Sequence, residues 1–158
     1  MKEVFAEIIT IGDEILFGQI TDTNSQWISA ELDKIGIKTR RKTSVSDKPQ
    51  EIVDALKEAE KRVDIILITG GLGPTKDDLT KGVLAKYFGS ELKRDEVSYN
   101  EVKAYFEKRG RVFDELNWGQ ADLPTNCTRV QINTEQLQGC GLKKMIQYTY
   151  PCRGYHLK

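Results

Sequence analysis

The stretch ILITGGLGPTKDD, residues 66–78, combines an apolar run, three glycines, a proline and two neighbouring carboxylates. Gly70, Gly71 and Gly73 allow the backbone to turn sharply and to approach a ligand without side-chain obstruction. Bare amides that are followed by a helix N-terminus form a favourable environment for an anion such as phosphate. The stretch therefore predicts an anion site at the end of a strand.

Two carboxylates, Asp77 and Asp78, follow this turn and would repel a phosphate. A divalent cation between carboxylate and phosphate would remove the repulsion, and so would a carboxylate directed at a neutral ring or hydroxyl. Packing alone can also explain a glycine-rich turn, and acids in a first helical turn complement the helix dipole. The stretch lacks the glycine-lysine-serine or glycine-lysine-threonine ending of a nucleotide P-loop, and it lacks the glycine spacing of a dinucleotide-binding turn.

Other candidate residues follow the predicted strands. Asp13 and Glu14 come after the strand AEIITIG, and we favour Asp13 as a metal ligand, although both acids could cap the following loop. Asn24 could contact a ligand, but the cap of a helix over about 25–35 explains Asn24 or Ser25 equally well. Asp47 precedes Pro49 and by itself is typical of a helix cap.

Strand and helix patterns alternate along the chain. β-Branched and apolar runs predict strands, and amphipathic stretches predict helices. The predicted order is a strand at 6–12, a helix at 25–35, a basic edge strand at 37–46, a helix at 49–63, a strand at 63–71, a helix at 77–89, a helix at 96–110 and a strand at 127–133. This order predicts an α/β fold with a mainly parallel sheet, in which ligands bind beyond the carboxyl ends of the strands.

Composition excludes several classes of protein. The 158 residues contain 24 basic and 24 acidic side chains, so no net charge attracts nucleic acid. No apolar run approaches the length of a membrane span, and the charged start differs from a signal peptide, so we expect a cytoplasmic protein with no membrane partner. The spacing of the three cysteines fits neither a disulfide framework nor a zinc site. His156, the single histidine, lies in the tail.

Two motifs, GDE followed by DTNS and TGGLGPT followed by DDLT, occur in one order with the Asp47 segment and ELNWGQADLP. Together they resemble the N-terminal domain of the competence/damage-inducible protein A (CinA) family, over residues 5 to about 133. That domain is similar to the molybdopterin-binding domains of molybdenum-cofactor biosynthesis. The resemblance implies a three-layer α/β/α fold with a mainly parallel sheet and a site at the strand ends.

The resemblance also implies roles for residues and a reaction. It implies a pyrophosphatase that depends on a divalent metal ion and acts on ADP-ribose-like nucleotides; adenylyl transfer to a pterin phosphate and a binding remnant without catalysis are the alternatives. It implies catalytic roles for Asp78 and Asp47. We predict that Asp77 and Asp13 are ligands of the metal ion. The predicted ligand-binding residues are Gly70, Gly71, Gly73, Thr75, Thr80 and Asn24.

The tail, residues 134–158, differs in composition from the rest of the chain. It has four lysines or arginines against one acid, half of the six tyrosines and no clear periodicity. Plausible codons for this tail, read one frame out, give GTAPGMWFEENDTVYISMPGVPFE, which resembles the continuation expected of the family. We therefore predict a domain at 1–133 that is incomplete and a tail at 134–158 that is a frameshift product.

Physical consequences follow if the tail replaces a family strand. The sheet would expose a backbone edge, which favours self-association, so a homo-oligomer is an expected state. Much of the tail would contribute little ordered packing. The glycine turn could persist while turnover is weak or absent.

Overall fold

The computed structural model describes residues 3–71, 79–131, 138–142 and 145–148. Most of the predicted strands and helices are confirmed, within a few residues at their ends. The elements in chain order are β1 Val4–Ile11, α1 Asp13–Leu16, α2 Thr23–Lys34, β2 Ile37–Val45, α3 Pro49–Glu60, β3 Ile65–Gly70, α4 Leu79–Tyr87, β4 Leu92–Arg94, α5 Glu96–Lys108, α6 Glu115–Trp118, a 3-10 helix Gly119–Ala121, β5 Asp122–Pro124, β6 Thr128–Gln131, β7 Gln138–Leu142 and β8 Met145–Tyr148.

Six strands form the main sheet in the order β2-β1-β3-β8-β7-β6. β1 runs parallel to β2 and β3, and β3 runs parallel to β8. β7 is antiparallel to both of its neighbours. The sheet is therefore mainly parallel, and the basic strand β2 lies at one edge as predicted. β4 and β5 form a separate antiparallel pair.

Apolar side chains cover both faces of the sheet. On one face, Ile9, Ile11 and Ile68 pack with residues of α3 and α4, including Leu56 and Leu84. On the other face, Ala6, Ile8 and Leu67 pack against Ile28 of α2. Alternate residues of each strand point to opposite faces, which separates the two clusters. The fold is thus the predicted three-layer α/β/α arrangement.

A buried ion pair joins β1 to the end of α3. The Glu7 side chain is fully buried, and its oxygens accept hydrogen bonds from Arg62 at 2.8 and 2.9 Å and from the Thr43 hydroxyl at 2.7 Å. Burial alone would raise the pKa of Glu7, but these hydrogen bonds and the Arg62 charge outweigh it and lower that pKa below the ordinary value of 4.5. The pair fixes the strand that leads to the predicted site.

The helix starts differ from the predicted ones at two positions. Asp22, rather than Asn24 or Ser25, is the N-cap of α2, and its carboxylate accepts a hydrogen bond from the Ser25 amide at 2.9 Å. Asp47 is not the cap of α3, because Lys48 occupies that position and Pro49 begins the helix.

The tail contributes two strands to the main sheet. β7 and β8 both come from residues after 133, and β8 lies directly beside β3. The expectation that much of the tail contributes little ordered packing is wrong for residues 138–142 and 145–148, because backbone pairing places them in the sheet. β3 is accordingly not an exposed edge. The frameshift origin of the tail stays a prediction.

No helix in the described ranges has both the length and the apolar character that crossing a bilayer requires.

Candidate functional site

The ends of β2, β1 and β3 form a continuous edge at which the predicted site residues begin. Ile11 is in register with Val45 on one side and with Gly70 on the other. The Gly12 amide donates a hydrogen bond to the Val45 carbonyl at 3.0 Å. Because neighbouring strands lie about 4.8 Å apart, the residues that follow these three strands share one small region.

The glycine turn after β3 requires glycine at two consecutive positions. Gly70 has φ 90° and Gly71 has φ 66°, both in the left-handed region. A Cβ atom at Gly70 would lie 2.1 Å from the Ile11 carbonyl oxygen, and one at Gly71 would lie 2.3 Å from the Thr80 hydroxyl oxygen. The turn therefore packs directly against β1 and α4, as a backbone surface without side chains.

Thr80 is a buried residue that contacts this turn. It is 1% exposed, and its hydroxyl lies against Gly71 at the start of α4. The contact couples the position of the helix to the shape of the turn. Direct contact between Thr80 and a ligand stays a prediction.

Two acidic residues follow β1 within the short helix α1. Asp13 and Glu14 are both half-buried. The Glu14 carboxylate folds back over Gly12, so that a Cβ at Gly12 would lie 2.6 Å from one Glu14 oxygen and 2.8 Å from the other. Because Gly12 lies on the edge formed by the ends of β2, β1 and β3, the Glu14 carboxylate also lies at this edge. The sequence analysis had favoured Asp13 over Glu14 as the site residue. The signal that could have identified Glu14 is the glycine two residues before it, which leaves room for the carboxylate.

Asp22 is a further residue that the sequence interpretation missed. Its second carboxylate oxygen accepts a hydrogen bond from the Thr10 hydroxyl at 2.7 Å. Thr10 lies near the end of β1, so Asp22 ties the start of α2 to the site edge while it caps that helix. Asn24, a predicted ligand residue, is half-buried in the first turn of α2. The interaction with Thr10 thus fixes the part of α2 that holds Asn24.

Asp47 follows β2 on the same edge. Ser46 is buried and Asp47 is half-buried. Gly73, Thr75, Asp77 and Asp78, which the sequence placed in the site, lie outside the described residues. Within the described ranges, no three His, Cys, Asp or Glu side chains are grouped so that they could hold a metal ion.

A scan against protein families matches residues 7–147 to the model described as "Probable molybdopterin binding domain". The chain belongs to this family, in its CinA-like branch. The resemblance that the two motifs indicated is therefore confirmed.

Curated relatives show the same branch. A CinA-like protein of Cytophaga hutchinsonii is 60% identical over 124 residues, which are 78% of this chain and 30% of that protein. A CinA-like protein of Chloroherpeton thalassium is 41% identical over 145 residues, which are 92% of this chain and 34% of that protein. The chain thus spans about a third of the length of these relatives.

Solved structures support the fold. The CinA protein of unknown function from Thermoplasma acidophilum has a TM-score of 0.75 and 29% identity, covering 93% of this chain and 87% of that one. The tungsten cofactor synthesizing protein MoaB from Pyrococcus furiosus has a TM-score of 0.56 and 21% identity, covering 94% of this chain and 82% of that one. At this identity, the likeness to MoaB concerns the fold alone.

Proposed function

We propose that this domain hydrolyses the diphosphate bond of a nucleotide such as ADP-ribose, with the help of a divalent cation. The observation that carries the proposal is the combination, on one edge of the sheet, of a side-chain-free glycine turn and several half-buried carboxylates. The turn suits an anion, and the carboxylates suit a cation or a water molecule.

The glycine turn supplies the binding of phosphate in this proposal. Gly70 and Gly71 present backbone rather than side chains, so a phosphate oxygen can approach the main chain closely. The Thr80 hydroxyl lies against Gly71, so the turn packs on a buried side chain at this point. A fixed set of donors costs little reorganisation when charge changes on the phosphate, which is the requirement for electrostatic stabilisation.

The carboxylates supply the second half of the proposed site. Glu14, Asp13 and Asp47 follow adjacent strands, and carboxylates with phosphate oxygens are the ligands that Mg²⁺ prefers. Mg²⁺ is usually held by one or two carboxylates together with water and substrate phosphates, so the described residues suit it without a cluster of three protein ligands. Such an ion, when bound, would polarise a phosphoryl oxygen and lower the pKa of a bound water.

The experiment is incubation of the full chain with ADP-ribose and Mg²⁺ or Mn²⁺, with nucleotides separated by chromatography. Addition of water across the diphosphate gives AMP and ribose 5-phosphate in equal amounts. We expect both products, and we expect chelation by EDTA to stop their release. Glu14→Gln should slow the reaction, whereas the matched change Glu58→Gln, on the exposed face of α3, should leave it unchanged.

Two other experimental results would contradict hydrolysis of ADP-ribose and favour a different function. Binding of molybdopterin without hydrolysis of ADP-ribose would favour a role in pterin binding or adenylyl transfer. Failure to bind or convert either compound would favour a domain without catalysis.

A further inference from the structure

Lys81 is a buried cation that the proposed reaction leaves unexplained. Only 4% of the surface of Lys81 is exposed to solvent. Its ammonium group donates hydrogen bonds to two consecutive carbonyls of the 3-10 helix, those of Gly119 at 3.2 Å and Gln120 at 2.8 Å. Lysine is among the residues that are rarely buried, so this position calls for a physical reason.

The location of Lys81 makes its charge costly. Removal of an ammonium group from water is unfavourable unless hydrogen bonds within the protein replace those that it made with water. Lys81 also lies in the first described turn of α4, where the helix dipole disfavours a cation. An apolar side chain would avoid both costs, although it would leave the two carbonyls without this donor.

The 3-10 helix that accepts these bonds is itself firmly held. The Asp95 amide donates a hydrogen bond to the Ala121 carbonyl at 3.0 Å, and Arg94 is in register with Asp122 in the β4–β5 pair. The Arg94 guanidinium also lies 5.4 Å from the centre of the Trp118 ring. Lys81 therefore binds a fixed part of the molecule.

Thr80, the residue before Lys81, contacts a different part of the molecule. Thr80 contacts Gly71 of the glycine turn, and Lys81 holds the 3-10 helix. We propose that Lys81 is a positioning residue of the anion site: by fixing the first described turn of α4 to the 3-10 helix, it keeps the Thr80 hydroxyl against Gly71. The identity of the anion rests on the proposed function; the positioning role does not.

The test uses the full chain and three variants. Lys81→Met removes the donor and the charge, Lys81→Arg keeps both, and Lys86→Met is the matched control because Lys86 is exposed in the last turn of the same helix. Binding of inorganic pyrophosphate with Mg²⁺ is measured by calorimetry at a temperature where every variant is folded. Hydrogen exchange of peptides that contain 70–71 and 119–121 is measured without ligand.

Lys81→Met should bind pyrophosphate about tenfold more weakly or worse, the effect typical of a lost supporting contact. Lys81→Arg should restore most of the affinity, and Lys86→Met should match the unaltered chain. Amides at 70–71 should exchange faster in Lys81→Met, while those of α2 do not change.

Unchanged exchange at 70–71 in a folded Lys81→Met chain would overturn the positioning role, whatever the binding result. If the unaltered chain neither binds pyrophosphate nor hydrolyses ADP-ribose, the proposed function fails, and hydrogen exchange alone decides the role of Lys81. Should Lys81→Met not fold, Lys81→Gln takes its place. Because glutamine keeps a shorter N–H donor without the charge, it should give a smaller increase in exchange at 70–71, and unchanged exchange there would again overturn the role.

Discussion

The Glu14 carboxylate occupies the space above Gly12 into which any other side chain at residue 12 would project. The two oxygens and the carboxyl carbon of Glu14 all lie within 2.8 Å of the position of that Cβ. This relationship explains the glycine of the GDE motif by space as well as by backbone conformation. It also links the identity of residue 12 to the position of a carboxylate on the site edge.

Replacement of this glycine should displace Glu14 rather than unfold the chain. Gly12→Ala should lower the melting temperature by the cost of its φ of 156° and by little more, because the clashing atoms are the far end of a flexible side chain. The displaced Glu14 carboxylate should reduce hydrolysis of ADP-ribose. The double variant Gly12→Ala with Glu14→Gln should hydrolyse ADP-ribose almost as fast as the slower single variant, because both substitutions remove the same carboxylate from the site. Gly18→Ala is the control, because Gly18 lies just beyond α1, also has a positive φ and has open space around it. Additive losses in hydrolysis would contradict the link between the two residues.

The glycine turn should tolerate alanine poorly. An L-residue in the left-handed region costs roughly 1–2 kcal/mol by itself. Gly36→Ala, with φ 79° and nothing within 4 Å, should show only this cost. Gly70→Ala should lose more, because its Cβ meets the fixed Ile11 carbonyl. Urea denaturation measures the three free energies of unfolding in the unaltered chain and the two variants. Equal losses at the two glycines would show that the turn is not closely packed against β1.

Asp22 should contribute more to stability than an ordinary helix cap. Asp95 caps α5 through the same kind of hydrogen bond, accepted from the Ser98 amide at 2.8 Å, and serves as the matched control. Asp95→Ala should cost about 1 kcal/mol. Asp22→Ala should cost about 2 kcal/mol more, because it also removes a charged hydrogen bond and leaves the Thr10 hydroxyl without this partner. Chemical denaturation measures both losses in the free energy of unfolding. Equal losses for Asp22→Ala and Asp95→Ala would show that the hydrogen bond from Thr10 does not stabilise the site.

Glu7 should make the fold sensitive to acid. Its pKa is lowered in the folded chain, so its contribution to stability is present above the ordinary value of 4.5 and is lost as the pH falls through the lower folded pKa. Glu7→Gln should cost about 3 kcal/mol at neutral pH, because Arg62 loses its buried partner. The difference from the unaltered chain should shrink in acid. Glu58→Gln, which alters an exposed pair, should barely change the unfolding curve; a pH-independent loss in Glu7→Gln would contradict this assignment.

Local patterns were sufficient to predict most of the elements near the site. The β-branched run at residues 6–12, the stripe of α3 and the apolar strand before the glycine turn each carry a periodicity that specifies strand or helix without distant contacts. Helix capping was less predictable, because Asp22, Asn24 and Ser25 are all good caps by residue type. The bond from Thr10 to Asp22, which depends on β1, belongs to the tertiary structure.

The strands of the tail could not be predicted from periodicity. β7 and β8 lack a clear alternation, and their place in the sheet depends on pairing with each other and with β3. Such pairing involves residues far apart in the sequence, and a local pattern cannot report it.

The sequence by itself determined the family, the layered α/β class and the position of a glycine turn at a strand end, because these depend on residue types and on spacing along one segment. Only the tertiary structure decided that Glu14 covers Gly12, that Thr80 supports Gly71 and that Lys81 holds the 3-10 helix. These contacts arise where separate segments or a folded-back side chain meet in space, and their energies depend on burial that no local stretch of sequence contains.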